Sequence, residues 1–256
     1  MEAAVLTRGW SQRDRTVSPL WQTHGMEISD SRILVVGATG QLGGLLARAL
    51  SAGGARVALA GRDAGRLAEI SAELGAPAVN FDYSQEGSAS DAVAWAVGEL
   101  DGLDGLVVAT GAVAFGRAGE VPPAAEAEVM GTNAGGPISL ISAALGEIGP
   151  GGVVVAITGV VAEFPTAGMA AYSASKSALA AYLAALRRER RKELTVIEVS
   201  PGHMETGFSD RALAGEPPAM PEAADPDELV AAVIDAIESG RREVRWHMKE
   251  RVLRSK

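Results

Sequence analysis

From residue 32 onward, short apolar runs alternate with longer segments in which apolar positions recur every three or four residues. The strand-length runs are 33–36, 56–60, 78–81, 105–109, 153–157, 195–199 and 243–246. Helical periodicity falls at 42–52, 65–74, 89–100, 126–148, 170–190 and 227–238. Several strands are apolar throughout, as when helices cover both faces of a parallel sheet. Seven strands separated by helices predict an α/β fold, a single doubly wound parallel sheet of about seven strands. No linker-like stretch or internal repeat divides residues 31–256, which read as one domain. Residues 1–30 lack either period and are expected to be an N-terminal extension, disordered or preceding a true start at Met26.

Composition narrows the chemistry. The chain has 256 residues, 47% of them hydrophobic and 21% charged, which suits a large core and not disorder. It has no cysteine, which excludes disulfides, thiol nucleophiles and cysteine-ligated metals. His24, His203 and His247 stand too far apart in sequence to suggest a metal site. A net charge of −9 is the wrong sign for a whole-domain nucleic-acid binder. No apolar run reaches the ~18–20 residues of a membrane span, and no hydrophobic leader opens the chain, so the cytoplasm is the expected compartment.

The first strand runs into Gly37-Ala38-Thr39-Gly40-Gln41-Leu42-Gly43 and then a helix. Gly37 permits a tight turn, Gly40 lets a pyrophosphate approach the backbone, and Gly43 lets the helix pack close to the strand. The helix N-terminus offers free N–H groups and partial positive charge to an anion. In this strand–turn–helix context the glycines predict dinucleotide binding on a Rossmann-type sheet. Where a ribose-binding carboxylate is expected, about 20 residues on, the chain reads Ala60-Gly61-Arg62-Asp63. A guanidinium at Arg62 suits a 2′-phosphate, which favours NADP(H) over NAD(H).

Tyr172-Ser173-Ala174-Ser175-Lys176 opens the helical segment after the fifth strand. The i, i+4 spacing puts Tyr172 and Lys176 on one helix face. Bringing a phenol from its pKa of ~10 towards neutrality takes roughly 4 kcal/mol. An ammonium ~4 Å away at an effective dielectric of ~20 supplies about that much, so Lys176 is expected to make Tyr172 an acid/base.

The glycine turn together with Tyr172 and Lys176 resembles the short-chain dehydrogenase/reductase family over about residues 31–246. That resemblance implies Tyr172 as acid/base, with Lys176 tuning it and binding the nicotinamide ribose. It implies an adenine contact at Asp82-Tyr83, a proton-relay water held by Asn133, and cofactor contacts at Pro201, Gly202 and Thr206. Thr39, Gln41 and Leu42 fall in the pyrophosphate turn. Three features depart from the family pattern. The glycine spacing is Gly-x-x-Gly-x-x-Gly. The segment after the fourth strand, Val108-Ala109-Thr110-Gly111, keeps the family glycine but neither of its asparagines. The substrate-orienting serine position, thirteen before the tyrosine, is Gly159, and Thr158 is expected to supply the hydroxyl from one residue earlier.

By resemblance the chain is an NADP-dependent oxidoreductase acting on a small-molecule carbonyl or secondary alcohol, with no nucleic-acid or membrane partner. The small-residue helices 133–145 and 174–185 suit association into a homodimer or homotetramer. Two alternatives use the same scaffold: a non-catalytic NADP-binding sensor or interaction protein, and a non-redox dehydratase or epimerase. Residues 207–224, with Pro217, Pro218 and Pro221, read as a substrate-covering loop. His203 either faces solvent or reaches the substrate. The basic run 187–192 reads as a solvated helix end, and residues 241–256 as a last strand with a solvated extension.

Overall fold

A computed structural model describes residues 25–256. Its strands are β1 (Arg32–Val36), β2 (Arg56–Gly61), β3 (Ala78–Asn80), β4 (Leu103–Val108), β5 (Ile148–Ile157), β6 (Leu194–Ser200), β7 (Glu243–His247) and β8 (Val252–Ser255). They form one eight-stranded sheet in the order β3-β2-β1-β4-β5-β6-β7-β8. Every neighbouring pair is parallel except β7 and β8. From β1 the chain moves outward through β2 and β3, then crosses back to β4 on the other side. This reversal opens a crevice past the carboxyl ends of the central strands, where such sheets bind ligands.

The uniformly apolar strands are explained by two separate cores. In β1, Ile33 and Val35 face one helical layer while Leu34 and Val36 face the other. The first layer holds α1 (Gln41–Ala52), α2 (Ala64–Leu74) and α7 (Pro226–Ser239). The second holds α3 (Ser88–Leu100), α5 (Gly136–Ala144) and α6 (Ala170–Glu189), with α4 (Pro123–Met130) ahead of α5. The Asp225-Pro226 start of α7 follows local chemistry: the Asp225 carboxylate accepts from the Asp227 amide at 2.8 Å, and proline occupies the first turn, where no intrahelical donor is needed.

Three expectations are corrected. The single helix expected over 126–148 is α4, a π-helical turn at Gly131–Gly135, and α5, and β5 already begins at Ile148. The basic tail is not a solvated extension. It folds back as β8, antiparallel to β7, making eight strands in all. Within β8, Leu253 packs against the core while Val252 and Arg254 are exposed. The expected extension also ends early: Ile28 is a core residue and the Met26 amide donates to the Ile237 carbonyl at 2.9 Å. The rest of that extension, residues 1–24, lies outside the described residues.

The β1–α1 junction depends on close approach. A Cβ at Gly43 would sit 2.1 Å from the Gly37 carbonyl oxygen, so any side chain there pushes α1 off the turn. Gly43→Ala should destabilise the fold by about 2 kcal/mol or more, the range of overpacked core sites. Gly98→Ala, on the exposed side of α3 with nothing near its missing Cβ, should stabilise it by about 0.5–1 kcal/mol. Urea midpoints that move the same way for both would refute the close-packing account.

Candidate active site

A cavity of about 980 Å³ opens in the crevice. Gly37, Thr39, Gly40, Gln41 and Leu42 of the β1–α1 turn line it, with Arg62 just beyond β2. Tyr172 and Lys176 of α6, Gly111, and Pro201, Gly202 and Thr206 beyond β6 share the same wall. The N-terminus of α1 has no side-chain cap and no acidic residue in its first turn. Its free N–H groups and the positive end of its dipole therefore meet no protein anion, which leaves a cradle suited to a pyrophosphate. Among the described residues, no group of three or more potential ligands could hold a metal ion.

Residues near the turn divide clearly. Arg62 lines the cavity, more than half exposed and 3.5 Å from Glu128. Asp63 is engaged elsewhere, since its carboxylate caps α2 by accepting from the Arg66 amide at 3.0 Å. Tyr83 reaches the cavity, its hydroxyl 3.2 Å from Thr110 Oγ1 and its ring edge-on to Phe81, and burial pushes its pKa up. Asp82 is not on the cavity wall. Its carboxylate accepts from the Ser84 amide at 2.9 Å, a bond that holds its pKa below the usual carboxylate range. The structure thus brings Tyr83, but not the Asp82 side chain, to the expected adenine region.

Lys176 is buried at 2% exposure on the inner face of α6. Its Nζ lies 5.9 Å from the centre of the Tyr172 ring and donates to the Ile157 carbonyl, at the end of β5, at 3.0 Å. Tyr172 packs against Val113, Phe115 and Met169, with the Phe208 ring 6.0 Å away. The pair lies together, but its electrostatics differ from expectation. Burial lowers the Lys176 pKa to about 8 and pushes the Tyr172 phenol up. Desolvation in this apolar shell outweighs the attraction of the ammonium, so Lys176 alone does not bring the phenol towards neutrality.

Thr158 corrects a second expectation. It borders the cavity, but its hydroxyl donates to Glu198 Oε1 at 3.0 Å and lies 3.2 Å from the Val199 carbonyl. Its proton is held within the sheet, so it does not take over a serine's work on the substrate. Gly159 offers no side chain and has φ +143°, a backbone L residues rarely adopt. Asn133, in the π-helical turn, is fully buried and absent from the cavity wall. Its Oδ1 accepts from the Ala112 amide at 2.9 Å, while Nδ2 donates to the Ala112 carbonyl at 2.8 Å and to Ser175 Oγ at 3.0 Å. Both amide hydrogens are taken, and Oδ1 accepts one hydrogen bond of the two it can take. The side chain fixes the segment after β4 that carries Gly111.

Glu198 went unnoticed in the sequence, although a lone carboxylate in the apolar run Val196-Ile197-Glu198-Val199 was a usable signal. It is 4% exposed, and burial pushes its pKa up against the opposing Thr158 hydrogen bond and the nearby Arg187. Arg187 reaches it at 3.9 Å and Arg245 at 3.7 Å, so the basic run is not wholly solvated. Trp246 and Met248, also missed, bring the C-terminal hairpin to the cavity wall.

Two measurements probe these groups. Asn133→Ala leaves the Ala112 N–H and C=O without their side-chain partner and should cost roughly 2–4 kcal/mol in urea unfolding, a buried unsatisfied group costing ~1–3. For Lys176 the unfolded chain holds its proton to pH 10.5 and the folded chain only to about 8. The unfolded state therefore binds more protons between those values, and folding stability rises with pH across that window, by about 3 kcal/mol in total. Lys176→Met should remove this rise; an unchanged slope would show that the ammonium is not desolvated.

The model of the family described as short chain dehydrogenase matches residues 31–216. The zebrafish (Danio rerio) protein named dehydrogenase/reductase SDR family member 7B is 33% identical over 204 residues, covering 74% of this chain and 66% of its own. The chain thus spans just under two thirds of that relative's length. The crystal structure of a short chain dehydrogenase from Burkholderia cenocepacia in complex with NADP is 25% identical, with a TM-score of 0.73 over 83% of this chain and 92% of its own. A Burkholderia phymatum short chain dehydrogenase/reductase in complex with NAD, 19% identical with a TM-score of 0.78 over 85% and 89%, shares the fold. With the glycine turn, Tyr172 and Lys176 on one cavity and the family model spanning most of the described chain, the protein belongs to the short-chain dehydrogenase/reductase family.

Proposed function

We propose that the protein is an NADP(H)-preferring oxidoreductase that interconverts a carbonyl compound and a secondary alcohol, with Tyr172 as acid/base. The observation that carries this is the single cavity joining the uncapped N-terminus of α1 to Tyr172 and Lys176. The residues fit the cofactor: Gly37 to Leu42 would receive the pyrophosphate, Arg62 the 2′-phosphate, and Lys176 the nicotinamide ribose. When bound, the nicotinamide supplies the hydride donor and acceptor. Tyr172 hands its phenolic proton to the carbonyl oxygen in reduction and takes it back in oxidation. The positive charge of Lys176, present below pH about 8, offsets part of the phenolate's cost in an apolar shell.

Preference for NADP rests on Arg62 at the cavity and on Asp63 being spent as a helix cap. Of the solved structures similar to this chain, one holds NADP and another NAD, so the preference rests on Arg62 and Asp63. Among the described residues no helix is long and apolar enough to cross a membrane. We place the protein in the cytoplasm, as a homodimer or homotetramer joined through the small-residue faces of α5 and α6. The engaged Thr158 hydroxyl and bare Gly159 favour one rival, a dinucleotide-binding sensor without turnover.

Two substitutions decide the matter. Tyr172→Phe should keep NADPH affinity within about threefold and lower turnover by at least ~10²-fold. Normal turnover in that variant would remove Tyr172 from the mechanism. Arg62→Ala should weaken NADPH binding by about 10- to 100-fold, the worth of a charge-assisted hydrogen bond, and leave NADH unchanged. Fluorescence titration of both cofactors reads the difference.

A further inference from the structure

Arg62, on which the choice of NADP rests, has a fixed main chain and a loosely held guanidinium. Gly61 before it packs on the glycine turn, where an added Cβ would lie 2.7 Å from the Thr39 methyl. The Arg62 carbonyl accepts from Asn80 Nδ2 at 3.0 Å, and Asp63 after it caps α2. The root of the side chain is therefore set by β2, the residue ending β3, and α2. Its guanidinium stands more than half exposed at the cavity and reaches Glu128 of α4 at 3.5 Å.

Two carboxylates draw on this one cation. Glu128 stands four residues before Thr132, which also lines the cavity, and its side chain is nearly half exposed. Asp82, beyond β3, feels the same charge: the Ser84 amide and, more weakly, Arg62 hold its carboxyl below the usual range. Asp63 makes no such demand, because Arg66 lies 3.7 Å from it. A phosphate monoester carries about −1.5 to −2 charges near pH 7. To grip the guanidinium bidentately, a 2′-phosphate must displace Glu128 or share the cation with it, and sharing crowds two anions together. The neutral 2′-hydroxyl of NAD meets neither cost. An exposed pair adds little order to the arginine, so Glu128 takes away more by competition than it gives by holding Arg62 in place.

We infer that Glu128 is a specificity-determining residue: by competing with the 2′-phosphate for Arg62, it holds down the preference for NADP(H) over NAD(H). The inference rests on the proposed dinucleotide site with Arg62 at the 2′-phosphate. The segment from Gly37 to Asp63 then decides which cofactor is favoured, and a helix after β4 decides by how much.

Fluorescence titration of NADPH and NADH tests this on the full chain as wild type, Glu128→Gln, Arg62→Ala and the double variant. Glu128 is exposed on α4, so the glutamine keeps its length, removes its charge and leaves the core untouched. Glu128→Gln should tighten NADPH about three- to tenfold, an exposed ion pair plus relieved repulsion, and leave NADH within about twofold. In the Arg62→Ala background the gain for NADPH should fall below about twofold. Adenosine 2′,5′-bisphosphate, which has the 2′-phosphate but no nicotinamide, should gain as NADPH does when it displaces NADPH. Weaker NADPH binding by Glu128→Gln would make Glu128 a support for Arg62 and overturn the inference. An equal gain for both dinucleotides, a gain undiminished without Arg62, or no gain for the bisphosphate would also overturn it. Arg62→Ala binding NADPH as tightly as wild type overturns the assignment of Arg62 instead. Failure of every form to bind either dinucleotide overturns the reading beneath both.

Discussion

The site is organised around one costly placement, a lysine ammonium inside an apolar layer. Lys176 lies on the same helix as Leu179, Leu183 and Leu186, whose packing on the sheet fixes where its side chain goes. The Ile157 carbonyl at the end of β5 is the hydrogen-bond acceptor it meets there. A charge so poorly solvated holds its proton weakly, and the phenol beside it resists losing its own. Both shifts have the same origin, and they leave the pair short of positive charge. A cation arriving in the cavity makes the phenolate cheaper without needing further protein charge. On the proposed reading an oxidised nicotinamide would be such a cation, and it would tie proton exchange at Tyr172 to occupancy of the glycine turn some distance away.

A second charge cluster explains why Thr158 points inward. Glu198 sits on the α6 side of β6, within 4 Å of Arg187 and Arg245 and beneath the end of β5. A buried carboxylate needs donors, and the Thr158 hydroxyl is one of them. Turning that hydroxyl towards the cavity would leave Glu198 Oε1 without it. The same carboxylate therefore binds α6, β6 and the C-terminal hairpin together and withholds a donor from the substrate.

Much of this was legible in the chain. The alternation of apolar runs marked out the sheet and its helices, because strands buried on both faces have no polar positions to blur them. Gly37, Gly40, Gly43, Tyr172 and Lys176 were legible as a site because strand, turn and helix boundaries constrain where such residues end up. What escaped notice depends on contacts between distant segments. The β8 strand is only four residues long, and its pairing with β7 is decided by tertiary folding and not by its own pattern. The π-helical turn at Gly131–Gly135 carries Asn133, whose side chain reaches across to Ala112, a contact 21 residues away. The Thr158 hydroxyl could be placed only once Glu198, 40 residues further on, was known to lie beneath it.

The phenol electrostatics failed for a related reason. Spacing on a helix fixes the distance between Tyr172 and Lys176 but not the medium around them, and the sign of the outcome depends on the medium. In water-like surroundings the ammonium would win. Beside Val113, Phe115, Met169 and Phe208, desolvation wins. All four of those residues lie outside α6, and Phe208 belongs to the loop beyond β6. The apolar shell that raises the phenol's pKa also lines the space left for a substrate. A loop that opened to admit water would lower the phenol's pKa and at the same time dilute the selectivity for apolar ligands. Proton affinity and substrate choice are two consequences of the same packing.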